Sequence, residues 1–239
     1  DESCMAKARR AMVPREDFAA LTDGLRCNCG FDLGKRIDLS GAAAVFDLPD
    51  GRVAIKMHGF MPENGAQRHE KSDRVPYLAW AAGGYCTLTP GDVTDNSYVY
   101  NWICQGEREH RWKVDEVDYD GHNATDLAIR MNEDRNREDF CIEVPQTCAG
   151  QNLAVKSFRE LLMQERIVLE ESPLALWCLQ NAIEIQNNYG DLKLSKRHKD
   201  DTERIDPVAA AMNALARVMV KRNAKPDLAQ VMRTRAYHL

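Results

Sequence analysis

Three runs with strand character, at 25–33, 42–48 and 52–60, follow one another across short connections, and this constrains the fold more than any other feature of the chain. Gly34 and Lys35 turn the chain after the first run, and Pro49-Asp50-Gly51 is a tight-turn signature before the third. Parallel neighbours need a dozen or more linking residues, so the pattern predicts an antiparallel meander. Ahead of it, 1–24 reads as a helical lead-in, with Met5, Ala8 and Met12 near helical spacing and Pro14 as a break. Residues 62–89 read as an irregular excursion carrying Trp80.

The second half alternates. Asp95-Asn96-Ser97 caps a helix whose apolar face is Tyr98, Trp102 and Cys104. A short strand is expected at 117–120, and Asn123-Ala124-Thr125-Asp126 opens a helix in capping-box style. A strand at 140–144, a helix at 153–164 with Phe158, Leu161 and Leu162 buried, and a strand at 167–169 follow. A helix at 174–179, an extended segment at 182–186 and a last helix opened by Asp206-Pro207 complete the order. Three meandering strands followed by alternating helices and strands predict a mixed sheet with helices on both faces, in the α/β class.

At 239 residues the chain suits one well-buried core with appendages. No apolar run reaches membrane-spanning length, which predicts no membrane partner, and the N-terminal residues lack a signal peptide's apolar stretch. Eight cysteines without a CxxC pair read as reduced, mostly buried thiols rather than a disulfide scaffold or zinc site. The net charge of −5 disfavours a dedicated nucleic-acid binder, but it averages over a gradient. Asp115, Glu116, Asp118 and Asp120 make the middle acidic, while Arg217, Lys221, Arg222, Lys225, Arg233 and Arg235 make the end basic. Such runs are ordinarily solvated surface; an acid cluster for metal beside a basic segment for phosphate fits as well.

Metal-assisted phosphodiester cleavage needs several carboxylates converging from distant parts of the sequence, typically at strand ends and helix N-termini. Asp32 at the end of the first strand, Asp120 at the end of the fourth and Asp206 at the start of the last helix qualify. Each also has a local reading: a turn aspartate, an Asp-Gly turn and a helix cap followed by proline, respectively.

The surrounding motifs favour the first reading. Cys29-Gly30-Phe31-Asp32-Leu33-Gly34 with Ile37-Asp38-Leu39-Ser40 resembles the opening of the nuclease domain of tailed-phage large terminases. Val117-Asp118-Tyr119-Asp120-Gly121-His122-Asn123-Ala124, Val144-Pro145-Gln146, the stretch from Pro173 through Trp177 to Asn181-Ala182, and Arg204-Ile205-Asp206-Pro207-Val208 are similar to later blocks of that family, in the same order. No block is specific alone; five collinear ones are. Gly34, Ser40 and His122 depart from the family's usual Ser, Thr and Trp, which touches fine geometry rather than the acids.

The resemblance implies an RNase H-like fold, with 1–24 as a lead-in from a preceding ATPase domain, 25–220 as the nuclease and 221–239 as a basic tail. It implies metal-binding carboxylates at Asp32, Asp120 and Asp206, holding two Mg²⁺ or Mn²⁺ ions, with Asp38 as a fourth ligand, a water holder or a turn residue. Lys196, Arg197, His198, Lys199 and Arg217 are candidate phosphate contacts, and His122 is a weaker candidate for a base near the metal. Asp95 matches a family acid but reads as a cap. The implied substrate is concatemeric double-stranded DNA in the host cytoplasm, and the implied partners are the ATPase domain, the portal and the small terminase subunit. No phosphate-cradling Walker loop occurs, so no ATPase is expected in this chain. Two alternatives stay open: another RNase H-like enzyme, such as a junction resolvase or hybrid nuclease, and a non-catalytic DNA-gripping domain.

Overall fold

The computed structural model describes residues 2–34, 37–122, 124–198 and 202–224. The chain enters through α1 (Glu2–Arg10), β1 (Met12–Val13) and α2 (Arg15–Thr22), with Pro14 at the cap of α2. The meander follows as β2 (Arg26–Asp32), β3 (Ser40–Asp47) and β4 (Val53–Pro62), paired antiparallel in that order. Its second turn closes through Gly51, whose φ of 82° suits glycine, and through Asp50, which accepts from the Arg52 amide at 3.0 Å.

Residues 62–89 are not irregular. They form α3 (Glu63–Asp73), α4 (Tyr77–Ala82) and β5 (Cys86–Thr89), and β5 pairs parallel with β4. The α3 sequence ENGAQRHEKSD carries almost no apolar stripe, so periodicity could not reveal it. Next, α5 (Ser97–Glu109) begins where predicted but turns Val99, Ile103 and Gly106 inward. Tyr98, Trp102 and Cys104 are only half-buried beside them.

The remaining elements are β6 (Lys113–Tyr119), α6 (Thr125–Arg135), β7 (Cys141–Glu143), α7 (Cys148–Met163), β8 (Ile167–Glu170) and α8 (Pro173–Asn181). The hairpin β9 (Ala182–Gln186) and β10 (Leu192–Lys196) and the helix α9 (Asp206–Asn223) complete the chain. Ala124 rather than a side-chain cap precedes α6, and Asn123 lies outside the described residues. The run from α9 continues to Asn223, past the boundary expected at 220, while 225–239 of the basic tail lie outside the described residues.

The mixed sheet has eight strands, in the order β1-β8-β4-β3-β2-β6-β7 with β5 alongside β4. The lead-in residues take part in it: β1 pairs with β8, and Ala8 and Phe18 are buried in its two cores. One core, with Val45, Ile55, Leu169 and Leu215, lies beneath α9; the other, with Phe31, Phe46, Val117, Ile103 and Met131, lies beneath α5 and α6. All eight cysteines are free, five of them buried, in keeping with the sequence reading. Among the described residues no helix is long and apolar enough to cross a membrane.

Helix α9 is almost entirely buried and rich in alanine, which lets its backbone approach the sheet. Two glycines make the approach possible. A Cβ at Gly30 would lie 2.2 Å from the Ala210 carbonyl oxygen, and one at Gly41 would lie 2.3 Å from the Asp206 carbonyl carbon. Gly30→Ala is therefore expected to cost about 1–3 kcal/mol, because backbone cannot yield as a flexible side chain does. A shift of the denaturant midpoint at constant m-value measures this, and an unchanged midpoint would show that α9 sits further from β2.

Candidate active site

Strand alternation sorts the side chains of β2 and β6 between the two faces. Cys29, Phe31, Val117 and Tyr119 enter the core beneath α5 and α6. Asn28, Gly30 and Asp32, with Glu116, Asp118 and Asp120, therefore face α9. The parallel register sets Asn28 opposite Glu116 and Gly30 opposite Asp118, so its continuation brings Asp32 beside Asp120 just past the end of β6. Across the antiparallel pair Asp32 faces Gly41, and Gly41 lies directly beneath the Asp206–Pro207 backbone. Three acids from distant parts of the chain thus gather at one end of the sheet.

Their electrostatics express the gathering. Burial pushes the Asp32 carboxyl well above its usual range, Asp206 and Asp120 push it further, and Lys196 pulls it back. Asp206 is raised to about 6, chiefly by burial; Lys196, its own backbone amide and Arg204 oppose the rise, while Asp38 adds to it. Oδ2 of Asp206 is buried with no hydrogen-bond partner among the described residues. Nor is Asp206 the helix cap: Ile205 holds that position and Asp206 is the first helical residue. No side chain caps this helix, so a capping role does not account for the aspartate. Asp120 commits Oδ1 to the amide of the exposed His122 at 3.0 Å, closing the Gly121 turn.

Among the described residues no three carboxylate, thiol or imidazole groups already surround a common point at coordinating distance. Like charges at one sheet end repel, and a divalent cation is the species that would draw them together. The donor set suits such an ion. It is all oxygen, it includes a buried carboxylate oxygen without a partner, and it carries more negative charge than Lys196 can offset.

The other candidates separate. Asp38 pairs with the buried Arg204, 3.2 Å from Nη1. Lys196 ends β10 and faces Asp32 and Asp206 electrostatically. Arg197 lines a different space, an apolar groove of about 380 Å³ with Met5, Phe158 and Met212. The His198 amide donates to Glu203 at 2.7 Å and its ring is exposed. Lys199 lies outside the described residues.

Arg217 does not join the acid site. It donates to Glu116 at 3.0 Å, and its place eleven residues beyond Asp206 corresponds to about 16 Å along the helix. Lys221 lies 3.2 Å from Glu116 and donates to Asn28 at 2.9 Å, while Arg222 pairs with Asp47. The basic stretch of α9 is thus engaged by sheet carboxylates. The acidic run divides likewise: Asp115 pairs with Arg26, Glu116 with Arg217, and Asp118 is held by Asn28 at 2.9 Å, leaving Asp120 at the site. Asp95 lies one residue ahead of Asn96, which holds the cap position of α5, and accepts from the Ser97 amide at 2.9 Å. A further cavity of about 770 Å³, lined by Lys56, His58, Trp102 and Trp112, opens on the opposite face of the sheet, away from these acids.

Comparison with known proteins points one way. The family model described as "Terminase large subunit, endonuclease domain" matches residues 6–222. The large terminase subunit of Enterobacteria phage HK97 is 26% identical over 189 residues, covering 76% of this chain and 35% of that protein. The chain thus spans about a third of the length of that relative. The crystal structure of the HK97 large terminase superposes with a TM-score of 0.71 at 22% identity, over 84% of this chain and 42% of that one. The nuclease domain of the phage SPP1 large terminase, solved with bound Mn, gives a TM-score of 0.50 at 11% identity over 87% of this chain and 93% of that one. At these identities both structures bear on the fold, an RNase H-like mixed sheet flanked by helices.

The raised acids carry a pH signature. A carboxyl whose folded pKa exceeds its unfolded value near 3.9 leaves stability unaffected below both values, lowers it as pH rises from one to the other, and imposes a constant cost above the folded pKa. Without divalent metal, stability should therefore fall between about pH 4 and 6 through Asp206. Asp206→Asn should melt several degrees above the wild type at pH 7.5 and near it at pH 4. A variant less stable by equal amounts at both pH values would make this carboxylate a structural anchor.

Proposed function

Because the chain belongs to the terminase large subunit endonuclease domain family, we propose that it hydrolyses the backbone of double-stranded DNA with two divalent cations, Mg²⁺ or Mn²⁺, held by Asp32, Asp120 and Asp206. The observation that carries this reading is the convergence of three mutually repelling carboxylates, one with a buried oxygen that has no hydrogen-bond partner among the described residues. The manganese bound to the SPP1 nuclease domain supports the choice of ion. Such ions supply an activated water and neutralise charge on the leaving 3′-oxygen.

The chain's own groups supply the rest. Asp32 and Asp206, both half-buried, present charge that a cation would offset. Asp120 is oriented by the His122 amide, so its carboxylate is aimed before metal arrives. Lys196, which among the described candidate cations acts on both Asp32 and Asp206, would receive the scissile phosphate. In the whole protein the substrate would be concatemeric phage DNA in the host cytoplasm. An ATPase domain, the portal and the small terminase subunit would supply translocation and grip.

Cleavage of a linear duplex with and without Mn²⁺ tests this. Asp32→Asn, Asp120→Asn and Asp206→Asn should each lose more than the roughly 10–100-fold typical of residues one step removed from a metal, with the fold retained. Wild-type rates in Asp206→Asn would remove that residue from the site, and cutting confined to branched DNA would indicate a resolvase.

Phosphate contact by Lys196 should appear separately. Lys196→Ala is expected to slow cleavage by about 10–100-fold at saturating Mn²⁺, and to flatten the salt dependence of DNA binding by about 0.9 in log–log slope. An unchanged rate and slope would leave it a hairpin residue only.

A further inference from the structure

Arg204 is buried beside the start of α9. It lies two residues before Asp206, its guanidinium is almost wholly enclosed, and it is shared among three groups from elsewhere in the chain. Nη1 lies 3.2 Å from Asp38, Nε donates to Asp73 at 3.2 Å, and Nη2 lies 3.3 Å from Nδ1 of His69. A guanidinium has no acceptor, so His69 Nδ1 is the accepting atom of that contact. Nε2 of the same ring donates to the Ile37 carbonyl at 2.9 Å.

Each partner is itself fixed. Asp73 is buried and receives the Tyr77 hydroxyl at 2.8 Å and the Ser72 hydroxyl at 2.6 Å. The Asp38 carbonyl receives the Thr94 hydroxyl at 3.2 Å, and the Arg204 carbonyl receives the Asn181 side chain at 3.2 Å. The helices α3 and α4, the segment bearing Asp38 and the end of α8 are thereby tied to one point beside the start of α9. A buried arginine bound to two carboxylates is costly to desolvate, and this arrangement satisfies it along all three of its nitrogens.

We propose that Arg204 is a positioning residue for the carboxylate site: it fixes the backbone that presents Asp206 and holds Asp38 in an ion pair, so that the metal is bound by Asp32, Asp120 and Asp206 with Asp38 kept outside the coordination sphere. The inference rests on the nuclease reading above. It accounts for α3 and α4 as a brace rather than an ornament, and for Arg at 204, since lysine cannot engage two carboxylates and an imidazole in one plane.

The test is Mn²⁺ binding, followed by the Mn²⁺-dependent rise in melting temperature and by the Mn²⁺ concentration that half-saturates duplex cleavage. Arg204→Lys should raise both midpoints by about 10–100-fold while cleavage at saturating Mn²⁺ stays within a few-fold of wild type. His69→Ala removes a half-buried partner with little risk to folding, and should shift both midpoints in the same direction by less. Unchanged midpoints in both variants would overturn the proposal, as would a loss of metal-free stability and maximal rate with the midpoints unmoved. If the wild type itself neither binds Mn²⁺ nor cleaves, the nuclease reading fails first and the proposal falls with it.

Discussion

The contact on which the rest depends is the backbone of α9 lying against the sheet at Gly30 and Gly41. At ordinary helix–sheet spacing the first turn of α9 would stand a side chain's thickness above β2 and β3, and Asp206 with it. Here the two glycines remove that thickness, and the alanines of α9 remove it from the other side. The helix enters the gap with its first residue above Gly41, directly across from Asp32. Close packing alone thus brings an acid from the end of the chain to an acid near its beginning.

The same crossing arranges charge along the helix. The polar column beneath α9 runs from Asn28 and Glu116, past Asp118, to Asp32 and Asp120. At its far end Arg217 and Lys221 settle on Glu116, so the carboxylates there are answered by the protein's own cations. At the near end, among the described residues, the cations acting on the acids are Lys196 and Arg204, and Arg204 is held by Asp38 and Asp73. Among the described residues Asp32, Asp120 and Asp206 raise one another's charge cost at one end of the sheet face, where a divalent cation would lower the energy, while Asp118 further along is buried on Asn28.

Much of this was legible in the residues, for identifiable reasons. The meander was marked by alternation and by the Pro49-Asp50-Gly51 turn, signals that depend on near neighbours in sequence. Asp32, Asp120 and Asp206 stood out because strand ends and helix starts can be read locally, and the collinear motifs tied them together. What escaped was set by distant partners. The helix α3 has no apolar stripe and is secured through Asp73 and His69 to Arg204, more than 130 residues away. The strand β1 is two residues long and owes its existence to β8. That Arg217 donates to Glu116 was likewise invisible, because a charge count does not show which carboxylate sits across from a cation.

The account's central claim is that Asp32, Asp120 and Asp206 together bind the divalent ions. Anomalous diffraction from a crystal soaked in Mn²⁺ measures this directly, since it locates manganese independently of any assay. The account predicts peaks among the three carboxylates, with Asp206 Oδ2 as a ligand and the Asp38–Arg204 pair intact. Peaks at Asp118 and Glu116, or none near Asp206 at saturating Mn²⁺, would contradict it.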